Sequence, residues 1–259
     1  MPSFWSYIKN DKYAIGCSGQ TVYVYDISGN ELARFKDLKY AYTPMFCPER
    51  DMFVVKSTDG RLAFYSLDTM QLIKKFRFSK IDCSQDDSFC FSKDGKYFFN
   101  IERHIASYNS CLSVYEIANF NRVSQHFLSE EIVDYIDDNP IFTPHPELSH
   151  IEYDVAYDKL FVLGFTRGNT GESNCCFIAV FEDNRLMNIT EISDEKFDYI
   201  RDFKRLEMMG FTKKAREWSG LAYRGYDLDN IDFEKLKHTK LSDIIYMNSI
   251  KNKPDVEEL

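Results

Sequence analysis

Hydrophobic positions along this chain come in short runs broken by turn residues. Residues 89–99, FCFSKDGKYFF, are two apolar runs separated by Ser92-Lys93-Asp94-Gly95-Lys96. Asp-Gly tolerates tight and left-handed conformations, so this stretch predicts an antiparallel hairpin. The second run of that hairpin, YFFN (97–100), has counterparts at YAIG (13–16), FVVK (53–56) and FVLG (161–164). A further run follows each: VYVYDI (22–27), LAFYSL (62–67), LSVYEI (112–117) and FIAVFE (177–182). These alternate in the period of a half-buried strand. A third set follows at LARFKD (32–37), LIKKFRF (72–78), RVSQHFL (122–128) and LMNITEI (186–192), and a leading set precedes them all at FWSYI (4–8), YTPMF (42–46), SFCF (88–91) and IEYDV (151–155). Turn residues separate the runs, among them Asn10-Asp11, Ser18-Gly19 and Asp59-Gly60.

The pattern is therefore four strands repeated four times. The first two repeats are 40 residues apart, and later ones are stretched at 102–110, 166–174 and the connector 129–149. Four strands at a period near 40 is the signature of a propeller array, in which each twisted sheet buries its faces against its neighbours. FSKDGKYF (91–98) resembles the first hairpin of a WD-repeat blade. The resemblance spans residues 3–193 and implies a fold, not a function, because the Gly-His and Trp-Asp dipeptides of true WD repeats are absent. Every repeat contains its own first and fourth strand. Four units then close a small ring or leave an open arc with an apolar face to cover. An open arc completed by a second chain would make the protein an obligate oligomer. The competing fold is a sandwich of two packed sheets.

Beyond residue 193 the period changes. SDEKFDYIRDFKRLEMMGF (193–211) places Phe197, Ile200, Phe203 and Leu206 on one helical face, with Ser193 as N-cap and Gly210 near the end. A short helix is expected within 212–223 and another over 232–250, capped by Asp232 and presenting Phe233, Leu236, Leu241, Ile244 and Ile245. The fold expected is mainly β, with four four-stranded, WD-repeat-like propeller blades over 1–193 and an α-helical C-terminal tail over 194–259 packed on them.

Charge narrows the function. The chain carries 41 acidic and 32 basic residues, net −9; residues 1–193 alone hold 27 and 19, so the acidity belongs to the β part. Such a balance disfavours nucleic acid and favours a basic protein partner. The connector bears Glu130, Glu131, Asp134, Asp137 and Asp138 around Ile132, Tyr135 and Phe142. Long loops mixing carboxylates with aromatics suit a basic protein surface, so Glu130, Glu131, Asp134, Tyr135, Asp137, Asp138 and Phe142 are the candidate partner-binding residues. Seven cysteines without a Cys-x-x-Cys, the lack of a signal-peptide pattern and of a long apolar run predict a reducing cytoplasm and no membrane span.

Catalytic and cofactor motifs are absent. There is no Gly-x-Ser-x-Gly, no phosphate-binding Gly-Lys-Ser/Thr loop, no Gly-x-Gly-x-x-Gly and no His-Glu-x-x-His. His145, His150, Cys175 and Cys176 lack zinc spacing, and neighbouring cysteines on a strand point to opposite faces. DLDNIDFE (227–234) fails the calcium-loop pattern, with Ile231 and Asp232 at its fifth and sixth positions. The sequence thus predicts a non-enzymatic, cytoplasmic protein-interaction module without metal or cofactor. Two alternatives accompany it. One is an immunity protein that neutralises a basic nuclease toxin. The other is a propeller hydrolase, which requires an axial pocket holding carboxylates or histidines of shifted pKa.

Overall fold

In the computed structural model, the described residues are 3–58, 61–76, 88–103, 110–128, 146–167, 174–229 and 240–251. Sixteen strands run in order: β1 (Ser6–Lys9), β2 (Tyr13–Ser18), β3 (Thr21–Asp26), β4 (Glu31–Phe35), β5 (Ala41–Phe46), β6 (Met52–Ser57), β7 (Leu62–Ser66), β8 (Leu72–Phe76), β9 (Phe89–Phe91), β10 (Tyr97–Arg103), β11 (Ser110–Glu116), β12 (Asn121–His126), β13 (Glu147–Asp154), β14 (Lys159–Arg167), β15 (Asn174–Glu182) and β16 (Arg185–Ile192). They form four antiparallel sheets, each built from four consecutive strands in sequence order. Four WD-repeat-like blades are therefore present, one per repeat.

The hairpin at 89–99 shows how the turns work. Gly95 has φ +62°, its N–H donates to the Ser92 carbonyl at 3.0 Å, and the Asp94 side chain accepts from the Lys96 N–H at 3.0 Å. A Cβ on Gly95 would lie 2.1 Å from the Pro48 carbonyl oxygen of the second blade. Glycine is thus required twice, by backbone angle and by the approach of the neighbouring blade.

The expectation of half-buried strands fails in the inner strands of the middle blades. All six residues of β6 are buried, as are the first six of β11. The period of two sorts these side chains between two neighbours rather than between core and water. Phe53 and Val55 of β6 pack with Ile15, Cys17, Val22 and Val24 of the first blade. Val54 of the same strand packs with Phe89, Phe91, Phe98 and Tyr115 of the third. The third blade turns Phe99, Ile101, Leu112 and Val114 towards Ile151, Val162, Phe177 and Ala179 of the fourth. The fourth strand of each blade is the outer one: β4, β8 and β12 contain no buried residue.

Among the described residues, no hydrophobic cluster joins the fourth blade directly to the first. Helices cover the fourth blade instead. The chain leaves β16 into α1 (Asp194–Met208), capped by Ser193, whose side chain accepts from the Lys196 N–H. Two short helices follow, α2 (Lys213–Glu217) and α3 (Gly220–Tyr223), then α4 (Leu241–Lys251). Phe161, Leu163, Cys176, Ile178 and Val180 of the fourth blade pack against Phe197, Ile200 and Leu241. The C-terminal half of α1 turns Phe203, Leu206 and Met209 towards Ala215 and Leu221, with Trp5 and Tyr42 packed alongside. Met209 accepts from the Tyr7 N–H at 3.1 Å, so the helix end is tied to the inner edge of the first blade. On that blade's free face Phe4, Tyr7, Tyr23 and Tyr25 pack on one another, with the Arg34 guanidinium 5.0 Å above the Tyr23 ring.

Some boundaries differ from the sequence reading. β13 begins at Glu147, four residues before the expected run, with a register shift between Leu148 and His150. Residues 147–149 are therefore strand rather than connector. The expected helix over 212–223 is two short ones, divided at Trp218–Ser219, where the Ser219 side chain caps α3. Of the expected helix over 232–250, the described part is α4. Asp232, Phe233 and Leu236 lie outside the described residues, as does the Asp59-Gly60 turn.

Candidate interaction surface and axial cavity

Sequential antiparallel strands sort the connections between the two ends of the blades. Links from first to second strand and from third to fourth emerge at one end. Links from second to third strand, and from each blade to the next, emerge at the other. At the first end no connection exceeds five residues. Every longer connection is at the other: 77–88, 104–109, 127–146 and 168–173. The carriers of sequence freedom therefore gather on one end of the blades, over a scaffold of tight turns at the other.

All seven candidate partner-binding residues, Glu130, Glu131, Asp134, Tyr135, Asp137, Asp138 and Phe142, lie outside the described residues. The points where their connector attaches are described. On one side Leu128 is fully buried between the third and fourth blades. On the other Glu147 accepts from Arg103 at 2.9 Å. Both anchors stand at the loop-bearing end, beside the 103–110 connection.

A second concavity follows the axis. The first strands of all four blades, β1, β5, β9 and β13, line a cavity of about 630 Å³ together with α1. His150, Glu152, Lys204 and Glu207 are among its polar groups, with Ser92, Lys93, Tyr153 and Lys240. Lys204 on α1 reaches Glu152 at 2.7 Å and Glu207 at 3.0 Å. Burial raises the Glu152 pKa, and Lys204 partly offsets that rise. Burial pulls the Lys204 pKa down, but Glu152 and Glu207 outweigh it and leave it raised. His150 is pushed well below the ordinary range, first by burial and then by Lys204. These are the shifted groups that the hydrolase alternative requires. Glu152 also pairs with Lys204, and this pair fastens α1 to the inner strand of the fourth blade.

The sequence reading missed both this pair and a buried network between the second and third blades. Lys56 donates to Asn100 Oδ1 at 2.9 Å and to the Ile101 carbonyl at 3.0 Å. Glu102, fully buried, accepts from the Tyr115 hydroxyl at 2.5 Å, from Ser113 at 2.8 Å and from Asn100 at 3.3 Å. The signal available in the sequence was a charged residue at an inward position of an apolar run, Lys56 in FVVK and Glu102 in FFNIE. Such residues are buried only when paired.

The six described cysteines, Cys17, Cys47, Cys90, Cys111, Cys175 and Cys176, are free and buried. Desolvation pushes Cys17, Cys47 and Cys175 up to about 12 and Cys111 up to about 11. None is disposed to act as a thiolate. Cys176 packs against α1 and α4. Among the described residues no group of three or more His, Cys, Asp or Glu is placed to hold a metal ion, and no helix is long and apolar enough to cross a membrane.

No protein-family profile matches the chain, and no curated protein sequence matches it. Solved structures do. One is the crystal structure of the WD40 domain from Toxoplasma gondii coronin, 14% identical, with a TM-score of 0.50. The match covers 73% of this chain and 45% of that one, so this chain spans less than half the length of its structural neighbour. At that identity the likeness concerns the fold alone, and it agrees with the four sheets described above.

Proposed function

We propose that this protein is a non-enzymatic interaction module that engages a basic protein partner through the loop-bearing end of its blades, in the cytoplasm. One observation carries the reading: every strand connection longer than five residues emerges at that end, including the one that holds Glu130, Glu131, Asp134, Asp137 and Asp138. The net charge of −8 over residues 1–193 supplies the field that steers a basic partner towards it. Free, buried thiols suit a reducing compartment. An immunity protein that covers a basic nuclease is a sharper form of the same reading.

The test replaces the five connector carboxylates with Asn or Gln in the full chain. Wild type and variant are used for affinity capture from source-cell lysate at low and high salt, read by mass spectrometry. The reading expects a stoichiometric basic protein with wild type at low salt, less of it at high salt, and little with the variant. Equal recovery by both chains, or recovery of no protein by either, would refute it. The identity of the captured protein also decides whether it is a nuclease.

A further inference from the structure

The cavity on the axis contains one buried polar side chain that the fold does not pair. His150 lines it and is only 6% exposed, and among the described residues it makes no hydrogen bond. It shares a face of β13 with Glu152, while Ile151 between them packs towards the third blade. Burial and Lys204 keep the imidazole neutral, so it offers one N–H donor and one acceptor nitrogen. A buried group of this kind is costly until it is paired.

The other polar side chains of the wall are engaged or stand in water. Lys204 lies between Glu152 at 2.7 Å and Glu207 at 3.0 Å. Ser92 donates to Asp94 at 2.7 Å, and the Tyr153 hydroxyl donates to Asp158. Lys240 faces Asp154 at 3.8 Å, and both Lys240 and Lys93 are exposed. Cys90 is a buried thiol, a weak hydrogen-bonding group. His150 is thus the polar anchor left for an occupant.

The same walls set the occupant's charge. A cation entering the cavity meets Lys204, and an anion meets Glu152 and Glu207. Neither sign gains enough to offset the loss of its own water. Lys93 and Lys240 are hydrated, so their pull on an anion is weak. The remaining surface is apolar, with Met45, Phe46, Phe89, Phe91 and Met208. A volume of about 630 Å³ falls within the range of small-molecule sites, roughly 300–1,000 Å³.

We infer that the axial cavity binds a neutral, mainly apolar small molecule whose single hydroxyl or carbonyl pairs with His150. This goes beyond the interaction-module reading and uses none of the connector residues. Four fluorescent probes that share one ring system test it: pyrenemethanol, unsubstituted pyrene, pyrenecarboxylate and pyrenemethylammonium. Each is titrated with the full chain near neutral pH and followed by fluorescence anisotropy. Pyrenemethanol should bind saturably, about fivefold tighter than pyrene through its hydrogen bond and about tenfold or more tighter than either charged probe. In His150→Leu the advantage of pyrenemethanol over pyrene should vanish. That substitution removes an unpaired buried polar group, so it keeps the fold, and thermal unfolding verifies this. A separate pocket lined by Trp5 and Trp218 offers pyrene another aromatic surface, so Trp218→Ala is the control and should bind pyrenemethanol as wild type does. No saturable binding of pyrenemethanol overturns the assignment. So does equal or tighter binding of a charged probe, an unchanged preference for pyrenemethanol over pyrene in His150→Leu, or loss of binding in Trp218→Ala.

Discussion

Gly210 offers the sharpest perturbation of the contact between helices and blades. It follows α1 with φ +66°; its N–H donates to the Glu207 carbonyl at 2.9 Å, and the Phe211 N–H donates to the Leu206 carbonyl at 3.0 Å. This is the paired pattern of a Schellman cap. A Cβ at Gly210 would sit 1.8 Å from the Tyr7 carbonyl oxygen, which belongs to the rigid first blade. Gly210→Ala therefore has two costs. The left-handed backbone angle costs about 1 kcal/mol. Relief of the clash must push the helix end off β1, with loss of the Tyr7–Met209 hydrogen bond at about 1 kcal/mol and of part of the Phe203–Phe211 packing at about another. The total is about 3 kcal/mol, or a fall in Tm of about 6–12 °C for a chain of this size. Gly225 is the internal control. It has φ +84° with nothing within 4 Å of a built Cβ, so Gly225→Ala has the backbone cost alone, about 1 kcal/mol. Both variants are unfolded in urea and compared at equal slope. Equal destabilisation of the two would refute the docking of α1 against the first blade.

Three further outcomes follow from the buried charges and thiols. Lys204→Met leaves Glu152 buried without its cation and should destabilise by about 3 kcal/mol near pH 8. Without Lys204 the Glu152 pKa rises further above the ordinary glutamate value, and a raised carboxyl gives stability that is complete below that value and lost as pH rises. The deficit against wild type should therefore shrink at pH 5, and a deficit independent of pH would contradict this. Glu102→Ala strands the Tyr115 and Ser113 hydroxyls in the interface of the second and third blades; a loss of about 2–4 kcal/mol is expected in urea unfolding, against a threshold of about 0.5 kcal/mol for an unimportant site. With six cysteines buried and four of them held at about 11 to 12, a disulfide reagent at pH 8 should label no more than Cys83 in the folded protein and all seven thiols in guanidinium; rapid labelling of two or more in the native state would count against the packing.

The blades were legible because a period of two is a local property. Asp94-Gly95, Ser18-Gly19 and the apolar runs they separate locate the strands within a few residues. What the period does not carry is which neighbour each face meets. Val54 and Val55 look alike in FVVK, yet one faces the third blade and the other the first. α1 was legible from Phe197, Ile200, Phe203 and Leu206, and Ser193 caps it as its position implies. The axial pair was not, since Glu152 and Lys204 are 52 positions apart and meet only through the path of the chain from β16 to α1. The acidic connector was visible as composition, and topology adds the end of the blades to which it is attached.

The central claim is that a partner meets the end of the blades from which the long connections emerge. Hydrogen–deuterium exchange of the purified complex tests it most directly. The account predicts slower exchange in the complex across 36–42, 58–62, 77–88, 103–110, 127–147 and 167–174, with the turns at 10–12, 47–51, 92–96 and 155–158 unchanged. Protection of those tight turns, with the loop-bearing end exchanging as in the free protein, would contradict it.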